Sequence, residues 1–314
     1  MNFTGGVIAL FTVLFWTLSV QLFESASKRI GSTSVNIIRI SIAVILFCII
    51  LFFKDGYIVP SYFPLRAWVY LSLSGIIGFF LGDILLFKAF VEIGPRVTML
   101  IMSLSAPVSA MIGWIFLNET YLSHQWLGMF VTLSGVGMVI LEKNNVEKQD
   151  IKASHDKDSD KKLQIRKITI KGVLFGAGGM LGQALGFILS KTGMQTESGY
   201  LDAVASTQIR AIAACACFLI FFTLTRRWGA VKQGIQNKQA FTYTAIGAAL
   251  GPVAGVSLSL LALHYMTVGI ASTIFSIVPV ALIPFAIFLH KERISPKAFT
   301  GAIIAVFGIF LLSN

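Results

Sequence analysis

The chain has 314 residues, 56% of them hydrophobic and 12% charged, with a mean hydropathy of +0.81. Soluble globular domains carry about 25% charged residues, so this composition excludes that class. The formal net charge of +11 invites a nucleic-acid partner, but the basic residues lie between long apolar runs, where they act as orientation signals and contacts to membrane lipids, so nucleic acid is excluded.

Residues 1–23 contain no Asp, Glu, Lys or Arg. A helix needs about 20 apolar residues to cross a bilayer, and a first span is predicted over 5–23. With no basic leader and no small-residue cleavage site, it reads as a retained span, not a removed signal peptide. It carries Trp16, a candidate cavity wall. The second span, 34–53, holds Arg39 within its first two turns, where a long cation can snorkel to the headgroups or serve a site.

The third span, 67–88, is the richest in polar signals. Gly78 and Gly82 are four apart, a spacing that lets another helix approach by backbone contact, and Phe79 between them is a further candidate cavity wall. Asp83 follows directly. An intramembrane acid is a functional-site candidate by default. It reads as a protonatable coupling group, as counter-ion to Arg39, Lys88 or a cationic substrate, or as half of a structural ion pair. Lys88 and Glu92 are spaced to pair at the helix end.

The fourth span, 95–117, has Pro107 near its middle. Proline lacks an N–H and clashes with the carbonyl four residues back, at Ser103. Freed backbone at that depth is tolerated where it lines a cavity. Glu119 follows the span and reads as a cap or a packed loop residue at the interface. The fifth span is 124–141. Residues 143–171 then hold nine Lys or Arg and five Asp or Glu with almost nothing apolar, so 143–170 is predicted to be a charged, flexible linker between halves 1–142 and 171–314.

The second half is predicted to place spans at 171–190, 203–224, 240–263, 268–289 and 297–312. The sixth carries Gly178, Gly182 and Gly186 with Gln183. The seventh carries Gln208 and Arg210, and the eighth Gly251 and Gly255. Tyr265 follows, and the ninth holds Pro279, which frees the carbonyl of Phe275. Cys48, Cys215 and Cys217 all fall within spans and read as small packed hydrophobes. No nucleotide-binding glycine loop with its lysine, metal-ligand spacing or nucleophile-and-base pair is visible, so no cofactor, no metal and no enzymatic activity is expected.

The halves repeat one another. Ala106-Pro107 to Leu141 runs in parallel with Val278-Pro279 to Leu312, with Phe116-Leu117 and Glu119 answering Phe288-Leu289 and Glu292. Gly128 and Gly135 answer Gly301 and Gly308, and Arg39 answers Arg210. Five spans is an odd number, so the second copy enters the bilayer inverted. The expected fold is therefore an all-α multi-pass membrane protein of ten transmembrane helices in two inverted five-helix repeats. Paired prolines favour a central cavity lined by spans 1, 3, 4, 6, 8 and 9, with the glycine faces allowing the halves to rock. Asp83 is matched by Val256, so the acid breaks the repeat.

The run Gly94-Pro95-Arg96-Val97-Thr98, Ala106-Pro107, Phe116-Leu117-Asn118-Glu119, Gln125-Trp126-Leu127-Gly128 and Gly135 resembles the EamA-type domain of the drug/metabolite transporter superfamily. Val268-Gly269-Ile270-Ala271-Ser272, Pro279, Phe288-Leu289, Glu292-Arg293, Gly301 and Gly308 resemble the same domain again. The resemblance implies a carrier that moves amino acids, metabolites or drugs by alternating access without ATP, in a bacterial cell membrane. Asp83, Lys88 and the missing counterpart of Arg96 depart from the pattern. Its expected partners are a small-molecule substrate, with proton coupling through Asp83, membrane lipids, and at most a second copy of itself. A lipid or polyprenyl-carrier flippase, or a membrane receptor or scaffold, are the alternative functions. Orientation signals oppose each other. About twenty Lys and Arg on the linker's side against three on the other place the linker in the cytoplasm, whereas the resemblance places the termini there.

Overall fold

The computed structural model describes residues 3–153, 169–283 and 296–313. In the first half, α1 (Phe3–Ile30) and α2 (Ser32–Asp55) meet at Gly31, whose φ is +78°. α2 ends on Gly56, whose left-handed backbone returns its N–H to Phe52 O, a conformation glycine accepts without strain. α3 (Leu65–Ser74) passes through a π-helical segment, Gly75–Gly82, into α4 (Asp83–Ser103), which breaks at Gly94; α5 (Ser105–Leu117) and α6 (Ser123–Ala153) follow.

The second half comprises α7 (Ile170–Met194), a short antiparallel hairpin of β1 (Gln195–Thr196) and β2 (Gly199–Tyr200), α8 (Ala203–Thr225) and α9 (Trp228–Gln236). α10 (Lys238–Ala248) runs through a second π segment, Ala249–Gly255, into α11 (Val256–Ala262), and α12 (Val268–Phe275), a further helical stretch over 278–283 and α13 (Pro296–Ser313) complete the described chain. Among the described residues seven helical stretches are long and apolar enough to cross a membrane, and shorter apolar helices run over Val268–Ile283 and Pro296–Leu312.

Several boundaries depart from the sequence expectation. The helix begun at Ser123 continues to Ala153, into the region read as linker, because residues 142–153 are mostly good helix formers with no Gly or Pro to stop them. Residues 154–168 of that region lie outside the described residues, as do the end of the ninth predicted span and Phe288, Leu289, Glu292 and Arg293. The hairpin and α9 were not predicted. Both π segments occupy matching repeat positions, and the second contains Pro252, which has no N–H to place in the ladder. α4 stops at Ser103 and α12 at Phe275, the carbonyls facing Pro107 and Pro279. The Ser103 and Ser276 hydroxyls each donate one turn back, 2.7 Å to Leu100 O and to Thr273 O.

The halves do not sit side by side. α6 packs on α13, α5 on α12 and α2 on α8; α1 packs on α10 through α11, and the matching α3–α4 stretch packs on α7. Glycine sets the direction of these contacts. A Cβ on Gly128 would lie 2.9 Å from Gly308 O, and one on Gly301 2.9 Å from Gly135 O. The earlier glycine of α6 therefore meets the later one of α13, and the helices run antiparallel. Gly78 meets Gly186 and Gly82 meets Gly182 in the same sense. Leu260, Leu263, Ile209 and Ile274 are fully enclosed in one core with residues of both halves. Outward-facing Ile45, Phe53, Phe130, Ile220 and Phe310 are exposed, as expected of a surface whose solvent is lipid.

Candidate functional site

Arg39 comes seven residues after Ser32, and Arg210 seven after Ala203, each about 10 Å along its helix. Their surroundings differ. Arg39 Nη2 donates to Asp83 Oδ2, and its guanidinium lies 5.2 Å from the Phe23 ring centroid. It turns inward to a carboxylate and does not snorkel. Arg210 is only 3% exposed. Its guanidinium lies 4.5 Å from the centroid of Phe79, and its Nε and Nη1 have no hydrogen-bond partner. No carboxylate among the described residues pairs with it.

A second charged cluster joins the halves at the face where both ends of the described chain lie. Lys191, near the end of α7, donates 2.8 Å to Glu119 Oε1 and 2.8 Å to Met266 O. Both side chains are buried. The other side of the Glu119 carboxylate accepts the Val268 N–H, 3.0 Å from each oxygen, and the Tyr121 hydroxyl at 2.7 Å. The Tyr121 oxygen in turn accepts from Gly269 N at 3.2 Å. Glu119 thus caps the N-terminus of α12, where a carboxylate meets free N–H groups and the positive end of the helix dipole. Burial and the Glu119 charge both hold the Tyr121 hydroxyl above its ordinary range, so it stays a donor.

Three further contacts close the same face. Lys54 reaches Asp202 at 2.6 Å. Gln208 donates to Ile58 O at 2.7 Å, tying the loop after α2 to α8. Tyr200 of the hairpin stacks on His264 with centroids 4.6 Å apart. On that face Tyr62 donates to Asp55, and burial with this acid pushes its hydroxyl up to about 12.

The remaining predicted residues divide. Trp16 meets Phe275 at 5.2 Å and Phe187 meets Phe275 at 5.6 Å, so rings from α1, α7 and α12 fill the junction where a cavity wall was expected. Gly255 makes room for the Trp16 ring, and Gly251 lies against Ser19. Gly178 is covered by Leu85. Gln183 is half-buried beside Gly182 on α7, while Tyr265 is exposed beyond α11. Lys88 is exposed and lies 5.4 Å from the Phe175 ring. It does not meet Glu92, which faces Lys171 at 4.0 Å. Lys191 was missed as a site residue, because in sequence it looked like a loop cation. Glu119 was read as a cap or a packed loop residue, not as half of a buried ion pair. The signal available was the recurrence of that glutamate at Glu292.

The EamA-like transporter family matches residues 3–141 and again 170–314. Protein LicB of Haemophilus influenzae (strain ATCC 51907 / DSM 11121 / KW20 / Rd) is 29% identical over 144 residues, which are 46% of this chain and 47% of LicB, so the match spans about half of that relative. A crystal structure of another protein shares the fold, with a TM-score of 0.69 over 99% of this chain and 96% of that one at 14% identity. With the family matched once in each half, this membrane protein belongs to the EamA-like transporter family.

Proposed function

We propose that the chain is a secondary transporter of small organic solutes, built of ten spans in two inverted halves, 1–142 and 171–314, that rock to expose a midplane site to each side in turn. The reading rests on one observation above others. The helix contacts are reciprocal between halves, α6 antiparallel on α13, α2 on α8, and α1 on α10 and α11 answered by α7 on α3 and α4, as an inverted repeat requires. The conformation is the one closed on the face of Glu119 and Lys191. Rocking would part that ion pair and open the junction at Trp16, Phe187 and Phe275. The smooth contacts at Gly78, Gly82, Gly182 and Gly186 supply a surface over which α7 and the π segment slide.

Asp83 is the proposed coupling residue. Its protonation would release Arg39, a charge change inside the bundle that a proton gradient can drive. Proteoliposomes preloaded with amino acids, nucleosides, sugars, small carboxylates or cationic drugs are expected to show counterflow of at least one of them. Asp83→Asn is expected to abolish the pH dependence of that exchange while leaving the protein folded. A solute that binds and raises the melting temperature but never exchanges would sink the transport reading. Unchanged pH dependence in Asp83→Asn would sink the coupling role alone.

A further inference from the structure

Among the described side chains, every intramembrane cation but one has its charge answered or is exposed. Arg39 has Asp83, Lys191 has Glu119, and Lys88 is exposed. Arg210 is 97% enclosed with two nitrogens unpartnered. An ionised side chain held that way out of water is strongly disfavoured unless paired, and the face of one aromatic ring compensates only in part. The carboxylate that answers Arg39 sits at Asp83, and the matching position in the second half is Val256. The arginine recurs in the second half and the acid does not.

The guanidinium points into a built groove. Its Nη2 lies 3.7 Å from where a Cβ on Gly78 would stand and 3.7 Å from where one on Gly186 would stand. It therefore sits in the space the two glycines leave open. Beside it, Ser74 Oγ donates 2.7 Å to Gly186 O and lies 2.8 Å from Ser190 Oγ, both hydroxyls fully buried. Phe79 forms one wall. The groove lies on the same side of the bundle as the Glu119–Lys191 pair, so opening that face would expose it to the entering solute.

We propose that this glycine groove, with Arg210 aimed into it, binds the anionic group of the transported solute, a carboxylate or phosphate taking the place that Asp83 holds at Arg39. The inference rests on the transporter reading for the word transported, and only on geometry for the anion. Guanidinium is suited to it because its planar fork presents paired donors to either oxyanion.

The test uses the full chain in nanodiscs of zwitterionic lipid, with succinate and inorganic phosphate as probes and chloride at matched ionic strength as control. At least one probe is expected to raise the wild-type melting temperature in a saturable way. Arg210→Gln should weaken that binding about tenfold or more, the scale of a lost charge-assisted contact, and Arg210→Lys less. Without probe, Arg210→Gln should melt no lower than wild type, since it removes an unpaired buried charge. Should that variant misfold, Gly78→Ala serves instead. Its methyl would meet its neighbours at 3.6 Å, ordinary contact, so it fills the groove beside the guanidinium without disturbing the fold and should also weaken the probe. The proposal is overturned if neither probe stabilises the wild type, or if Arg210→Gln or Gly78→Ala binds the probe as well as wild type does. Should the wild-type advantage over Arg210→Gln appear only when phosphatidylglycerol is in the nanodisc, the anion is a lipid headgroup and the solute reading falls. Saturable anion binding without counterflow would uphold the site and defeat the transporter reading. Counterflow of neutral or cationic solutes, indifferent to Arg210→Gln, would do the reverse.

Discussion

At Glu119 and Lys191 the two partners are not equally dependent on each other. Glu119 without the lysine keeps the Val268 N–H and the Tyr121 hydroxyl, whereas Lys191 without the glutamate keeps only Met266 O. Breaking a buried pair by removing one partner costs about 3–5 kcal/mol. Lys191→Met should fall at the low end and Glu119→Gln at the high end, measured as loss of melting temperature in one detergent. The double variant should recover part of the sum, as residues in one network do; strictly additive losses would show that the pair is not coupled. His264 offers a second residue-scale test. Burial pulls its imidazole below the ordinary 6.5, with nearby Asp202 opposing and Lys191 reinforcing the shift. The unfolded chain thus takes up the proton first. Stability from this group is complete above pH 6.5 and is lost as pH falls through 6.5 toward the folded value. His264→Gln should flatten that acid-side fall in melting temperature relative to wild type, and an unchanged slope would remove His264 as its cause.

Along α6 two neighbouring glycines have different tasks. A Cβ at Gly135 would stand 2.5 Å from Gly301 O, whereas one at Gly137 would meet only Leu100 Cδ1 at 3.8 Å. Gly135→Ala should therefore force α6 and α13 apart at a cost of about 1–3 kcal/mol. Gly137→Ala should be neutral or gain up to about 1 kcal/mol from helix propensity. Equal melting temperatures for the two variants would mean the glycine contact does not hold these helices together. The spacing of Gly128, Gly135, Gly301 and Gly308 was legible in the sequence, and so were the breaks before Pro107 and Pro279, because proline chemistry is local. The π segments were not. Their glycines stood out, but a π turn arises from how the helix is pressed against its neighbours, and no single residue type encodes it. α9 escaped for the opposite reason. Nine residues with only Val231 and Gly234 buried make too short an apolar pattern to read. Lys191 escaped because its partner lies 72 residues away, and pairing over that distance is decided by the fold.

At the scale of the molecule, the question is whether the halves are domains that touch or one body wound from two copies. α1 finds its main neighbours in α10 and α11, and α7 finds its own in the stretch from α3 to α4. Each half thus covers its apolar faces largely with the other, and Glu119, Lys54 and Lys191 add polar links across the same boundary. Membrane helices associate through close packing and hydrogen bonds, with no hydrophobic drive between them, so contact area and geometry must hold the halves in place, and both are extensive here. The connecting residues between Ala153 and Thr169 need then contribute only local concentration. A protease site placed between these two residues, cut after purification, is expected to leave the halves eluting together in mild detergent, with a melting temperature close to that of the uncut chain. Counterflow should also survive the cut. Separation of the fragments would show that each half holds together without the other. The Glu119–Lys191 closure would then be a contact between domains, and the rocking proposed here would need the tether to keep its two parts in register.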